Sequence, residues 1–79
     1  MVLEMTNGRL VGIEVKAAGT VEGKDFKGLR SLREETGSRF HRGIVLYGGE
    51  QTVSFESDLM AVPVSALWEW HSRAAQALA

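Results

Sequence analysis

Two charged residues interrupt the otherwise apolar run Gly12-Ile13-Glu14-Val15-Lys16 at alternate positions. Side chains at i and i+2 of an extended chain share a face, so the Glu14 carboxylate and the Lys16 ammonium project together while Ile13 and Val15 project to the other side. Such a pair suits metal-assisted hydrolysis: the carboxylate holds a hard divalent cation, and the ammonium positions an attacking water or stabilises developing negative charge. Glu14 and Lys16 are therefore the candidate catalytic pair, Glu14 is the candidate metal ligand, and magnesium is the ion implied if the pair is active. Taken alone, the alternation also describes a solvated strand face, and that bland reading is the commoner one for a bare Glu-x-Lys.

A second candidate is electrostatic. Six of the nine basic residues, Lys24, Lys27, Arg30, Arg33, Arg39 and Arg42, fall between positions 24 and 42, against Asp25, Glu34 and Glu35. Lys24, Lys27 and Arg30 are the candidate nucleic-acid contacts, a phosphate-binding surface beside the Glu14/Lys16 strand. On a helix whose apolar face is Phe26, Leu29 and Leu32 they turn to the far side, where solvated charges normally sit, and that reading is preferred. His41 stands alone before Arg42, and His71 falls on an apolar stripe, so neither is a metal or nucleophile candidate in a chain without cysteine. No serine lies in a G-x-S-x-G context. Gly48-Gly49 lacks the helix and lysine of a phosphate loop and reads as a hairpin turn.

The elements that must position these residues follow from periodicity. Val2 to Thr6 reads as a short strand, Asn7-Gly8 as a two-residue hairpin turn, and Arg9 to Ala17 as the returning strand. From Lys24 to Thr36 the period changes to that of a helix, which Gly37 stops and Gly28 weakens by about 1 kcal/mol relative to alanine. Ile44-Val45-Leu46-Tyr47 is the continuous apolar run of a strand covered on both faces, and Gln51 to Phe55 alternates. Val62 leads through Pro63 to Ser65, a good N-cap, and Ala66 to Leu78 reads as a helix with the stripe Val64, Leu67, Trp68, His71, Ala75 and Leu78. Trp70 lies off that stripe, where a single displaced tryptophan usually covers the rim of the core; the alternative is that it and the alanine-rich end widen the apolar face into a helix-helix contact. The expected order is β-β-α-β-β-α: an α/β (α+β) mixed sheet with helices packed on it, in one domain spanning residues 1–79.

Composition limits what this domain can be. The chain has 79 residues, 44% of them hydrophobic and 24% charged, with a formal charge of -1 and no cysteine. A domain this small buries only about 60% of the surface its unfolded chain exposes. Without thiols it has neither disulfides nor the common structural zinc sites, which leaves oligomerisation or docking on a partner as its means of stabilisation. A homodimer is expected. No apolar run approaches the ~20 residues of a membrane helix, and the N-terminal stretch has no secretory pattern, so a cytoplasmic protein with no membrane contact is expected. Near-neutral charge argues against a dedicated nucleic-acid coat protein.

A Glu-x-Lys strand entered from a hairpin and followed by a sheet-packed helix is the core of the PD-(D/E)xK nuclease-like fold. More specifically, GRLVGIEVKAAGTVEGKDFKGLRSL, RFHRGIVLYGGEQTVSF and LMAVPVSALW together resemble the C-terminal domain of unknown function of a large family of prokaryotic AAA+-type ATPases. The resemblance implies a restriction-endonuclease-like core fragment and an ATPase as a partner. It also implies a chain truncated at its N-terminus, because an ATPase domain and a DNA-binding-like segment precede the module in such proteins. In that family the first strand carries an acidic residue, in a stretch like E-V-D-x-V-L-E, that shares a metal with the Glu-x-Lys glutamate. Here Val2-Leu3-Glu4 retains V-L-E, and Met1 stands where the aspartate would be. A two-residue turn at Asn7-Gly8 would pair Thr6 with Arg9 and Met1 with Glu14. It would set Glu4 opposite Val11, on the other face from Glu14 and about 10 Å away. The expectation is a non-catalytic remnant that acts as an interaction or oligomerisation module without a cofactor. The alternatives are a magnesium-dependent nuclease using Glu14 and Lys16 with an acid from another subunit, or a nucleic-acid-binding accessory of an ATPase.

Overall fold

Alternation along the strand that carries Glu14 sends Leu10, Gly12 and Glu14 toward a helix and Val11, Ile13 and Val15 to the opposite face. The computed structural model describes residues 1–66. Its elements are β1 (Val2–Glu4), β2 (Leu10–Val15), α1 (Lys27–Thr36), β3 (Phe40–Tyr47), β4 (Val53–Glu56) and β5 (Leu59–Pro63), with 3-10 turns Gly23–Phe26 and Gly37–Arg39 leading into and out of α1. The strands form one five-stranded sheet in the order β1-β2-β3-β5-β4. Neighbours β2, β3 and β5 run parallel, while β1 and β4 add antiparallel edges. The expected mixed α+β sheet is the fold that forms. Among the described residues, no helix is long and apolar enough to cross a membrane.

The core lies between α1 and the sheet, where Phe26, Leu29, Phe40, Val45, Tyr47, Leu59 and Ala61 are buried together. Gly12 and Gly43 are register partners on β2 and β3 and form a slot under the helix. A Cβ at Gly12 would lie 2.7 Å from Leu29 Cδ2, and one at Gly43 would lie 3.2 Å from Leu29 Cβ. The absence of side chains at this pair is what lets α1 approach the parallel strands closely. Phe26 is fully buried and stacks at a tilt on Phe55, ring centroids 4.6 Å apart. Ion pairs fasten the outer side of α1 to the β4–β5 turn: Arg30 reaches Glu56 at 3.0 Å, and Arg33 reaches Glu56 at 3.1 Å and Asp58 at 2.8 Å.

Four parts of the expected arrangement are corrected. Leu59 to Pro63 is a strand, not a lead into the last helix, and it inserts between β3 and β4. A proline argues against a strand from sequence, yet Pro63 is the final residue of this one, where a missing N–H matters least. Because β5 separates β3 from β4, Gly48-Gly49 is no hairpin turn; the tight turn is Ser57-Asp58, between β4 and β5. The third strand also begins earlier than Ile44, at Phe40. The helix expected from Ala66 is already helical at Val64, which puts Ser65 within it rather than at its cap. The rest of that helix, with Leu67, Trp68, Trp70, His71, Ala75 and Leu78, lies outside the described residues.

Candidate functional site

The loop between β1 and β2 decides what faces Glu14. Gly8 N donates to Met5 O at 2.9 Å and Met5 N donates to Arg9 O at 2.7 Å, so the loop is Thr6-Asn7-Gly8, one residue longer than the two-residue turn expected. Gly8 has φ 84°, the left-handed conformation that follows a type I turn in three-residue hairpins. Asn7 Oδ1 accepts the Arg9 N–H at 3.0 Å and steadies the turn. The extra residue shifts the register by one: Val2 lies opposite Gly12, Leu3 opposite Val11 and Glu4 opposite Leu10. Met1 consequently faces Ile13, exchanging backbone bonds of 2.7 and 2.8 Å with it, and not Glu14 as the two-residue turn would have it. A one-residue slip also exchanges faces. Glu4 therefore shares Glu14's face, contrary to expectation, but it lies level with Leu10, about 14 Å along the sheet at ~3.4 Å per residue. Its carboxylate is held by Arg39 at 2.7 Å.

Glu14 and Lys16 do project to the same, α1-bearing side. Lys16 N donates to Leu46 O at 2.8 Å, which carries the β2–β3 ladder one residue past Val15. The Lys16 ammonium then turns to Asp25 Oδ2 at 2.6 Å, in a pair whose side chains are 26% and 16% exposed. The same oxygen accepts the Glu22 N–H at 2.7 Å, tying the 3-10 turn that leads into α1. The hydrogen bond from Lys16, and after it the one from Glu22 N, holds the Asp25 carboxyl below the usual aspartate range, against the opposing effect of burial. In the sequence Asp25 stands only as a charge against the basic cluster. The one available signal was its place three residues after Glu22, ahead of a helical run, where a carboxylate can reach back to a free N–H.

Glu14 itself is exposed, and its carboxylate lies over Gly28, where a Cβ would overlap Oε1. It opens onto a cleft of about 320 Å³ between β1–β2 and α1, shared with Met1, Val2, Gly28, Ser31 and Glu35. Among the described residues, no three His, Cys, Asp or Glu side chains converge to hold a metal ion.

The basic candidates differ in what they meet. Lys24 pairs loosely with Glu22 at 3.2 Å on an open surface, and Lys27 is exposed. Arg30 does keep to the solvated side, its side chain 41% exposed, and there donates to Glu56 and to Gly23 O, both at 3.0 Å. Hydrogen bonds from Arg30 and then Arg33 hold the Glu56 carboxyl below its usual range, and Glu56 in turn raises Arg33 above its own. A phosphate at this surface would have to displace a carboxylate from Arg30. His41 is half-buried on β3, and His71 lies outside the described residues.

The model of the family described as "Domain of unknown function (DUF4143)" matches residues 1–67 of the chain. Neither a curated protein nor a solved structure matches it.

Proposed function

The chain belongs to that family, and on that premise we propose that it is a non-catalytic domain of nuclease-like ancestry, working as an interaction or oligomerisation module. The PD-(D/E)xK ancestry rests on the Glu-x-Lys strand with its sheet-packed helix. A cytoplasmic homodimer is the setting expected from the small cysteine-free composition and the lack of a secretory or membrane pattern, and an AAA+-type ATPase is the further partner that the resemblance implies. One observation carries the reading: the ammonium that would serve Glu14 is bound to Asp25 at 2.6 Å, and Asp25 in turn holds the turn before α1. Lys16 therefore belongs to the frame of the fold, and Glu14 is left without the ammonium that would position water or stabilise developing negative charge.

A divalent-metal nuclease is the second reading. It is favoured by Glu14 and Glu35 lining one cleft, to which another subunit could bring a further acid. The two are separated by incubating the protein with supercoiled and single-stranded DNA plus magnesium or manganese, alongside Glu14→Ala and Lys16→Ala. The expected result is no cleavage above the protein-free control in any sample. Metal-dependent cleavage that disappears in both variants would overturn the non-catalytic reading. Light scattering is expected to report a dimer.

A further inference from the structure

We infer that the outer edge of β1 is a homotypic interface, at which two copies of the chain pair antiparallel about a two-fold axis through Leu3. This rests on the proposed oligomerisation role and gives it a location. Met1 exchanges both of its bonds with Ile13, Met5 N donates to Arg9 O and Met5 O accepts from Gly8 N, so Met1 and Met5 turn their backbone groups toward β2 and the loop before it. The alternation of an antiparallel ladder then aims the N–H and C=O groups of Val2 and Glu4 outward, at a sheet edge that no other described strand occupies. Such an edge is a template for another strand, and this one is apolar: Met1 is 76% exposed, Val2 52%, Leu3 48% and Met5 38%.

The pattern of residues selects both the partner and the register. With two copies centred on Leu3, Val2 pairs with the partner's Glu4 and Glu4 with the partner's Val2, which satisfies the outward groups of both strands. On the face away from α1, Leu3 meets the partner's Leu3, and Met1 and Met5 meet the partner's Met5 and Met1, so every exposed apolar side chain of the row is matched. A register centred on Glu4 would set two carboxylates opposite each other, and one centred on Val2 would leave Met5 unmatched. Glu4 already holds Arg39 at 2.7 Å, so the carboxylate carried to the interface is neutralised within its own copy. A contact of one short strand falls below the ~1,200 Å² of a standard interface, so the dimer should be weak and concentration-dependent.

The test uses the absence of native cysteine. Leu3 would form a non-hydrogen-bonded pair with Cα atoms about 4.5 Å apart, within the range a disulfide spans. Mild oxidation of Leu3→Cys should give a covalent dimer about tenfold faster than Val15→Cys, although Val15 is 74% exposed. Leu3→Lys sets two ammonium groups face to face and should weaken association about tenfold or more in sedimentation equilibrium. Val2→Pro removes an outward N–H while sparing the β1–β2 ladder, and should weaken association with an unchanged circular dichroism spectrum. A dimer that survives Leu3→Lys and Val2→Pro, with no preferential cross-linking at position 3, would overturn the interface and leave the oligomerisation role standing. A wild-type chain that is folded and monomeric up to ~1 mM would remove both.

Discussion

Replacing Gly28 by alanine tests whether the cleft is built around Glu14. Glycine within a helical run costs about 1 kcal/mol relative to alanine. Against this gain, the new Cβ would overlap Glu14 Oε1 and lie 3.3 Å from Glu14 Cδ. The overlapped atom is the end of a flexible, exposed side chain, which can turn into solvent for a few tenths of a kcal/mol. Gly28→Ala should therefore stabilise the protein by about 0.5–1 kcal/mol. With a urea m-value near 1 kcal/mol/M, at the low end for so short a chain, the unfolding midpoint should rise by roughly 0.5–1 M at constant m. In a Glu14→Ala background the overlap is gone and the gain should reach the full ~1 kcal/mol, so the difference between backgrounds measures the cost of moving the carboxylate. A destabilised Gly28→Ala that Glu14→Ala restores would refute this reasoning. It would mean that the carboxylate is held over α1, as a catalytic site requires and an idle surface residue does not.

Other outcomes follow from the same contacts. Gly43→Ala should destabilise by about 1–3 kcal/mol in urea unfolding, because its Cβ would come within 3.2 Å of Leu29 Cβ, an atom that moves only with the helix. Gly12→Ala should cost less, since it meets only the Leu29 and Leu32 Cδ2 atoms, at 2.7 and 2.8 Å. Leu29→Ala, at a site 2% exposed, should cost about 2–5 kcal/mol in the same assay. Asp25 and Glu56 titrate lower in the folded chain than their ordinary 3.8 and 4.5, so their stabilisation is complete above those values and is lost as pH falls through and below them. Urea midpoints should therefore drop between about pH 5 and 3, and Lys16→Ala combined with Arg33→Ala should flatten that drop.

Strand β2 and helix α1 were legible in the residues because each buries one face and repeats at its own period. Gly37 marked the helix stop, and it has φ 55°. The shared projection of Glu14 and Lys16 was legible for the same local reason. Strand β5 was not, since Pro63 resembles punctuation until the strand is seen to end on it. Helical spacing puts Arg30 on the solvated side, where it lies, but does not show that Glu56, 26 positions away, arrives on that side.

Residue type and periodicity therefore determined, without the structure, a mixed sheet with a helix packed on it and a Glu-x-Lys pair on one strand face. The tertiary structure decided what each of those charges meets. One left-handed glycine lengthens the first loop by a residue and so moves Met1 from Glu14 to Ile13 and Glu4 to the α1 side. One turn before α1 delivers Asp25 to Lys16. Period is a property of neighbours along the chain and survives in the sequence. Register and ion pairing are choices between arrangements of nearly equal local energy, and only long-range hydrogen bonds and packing separate them.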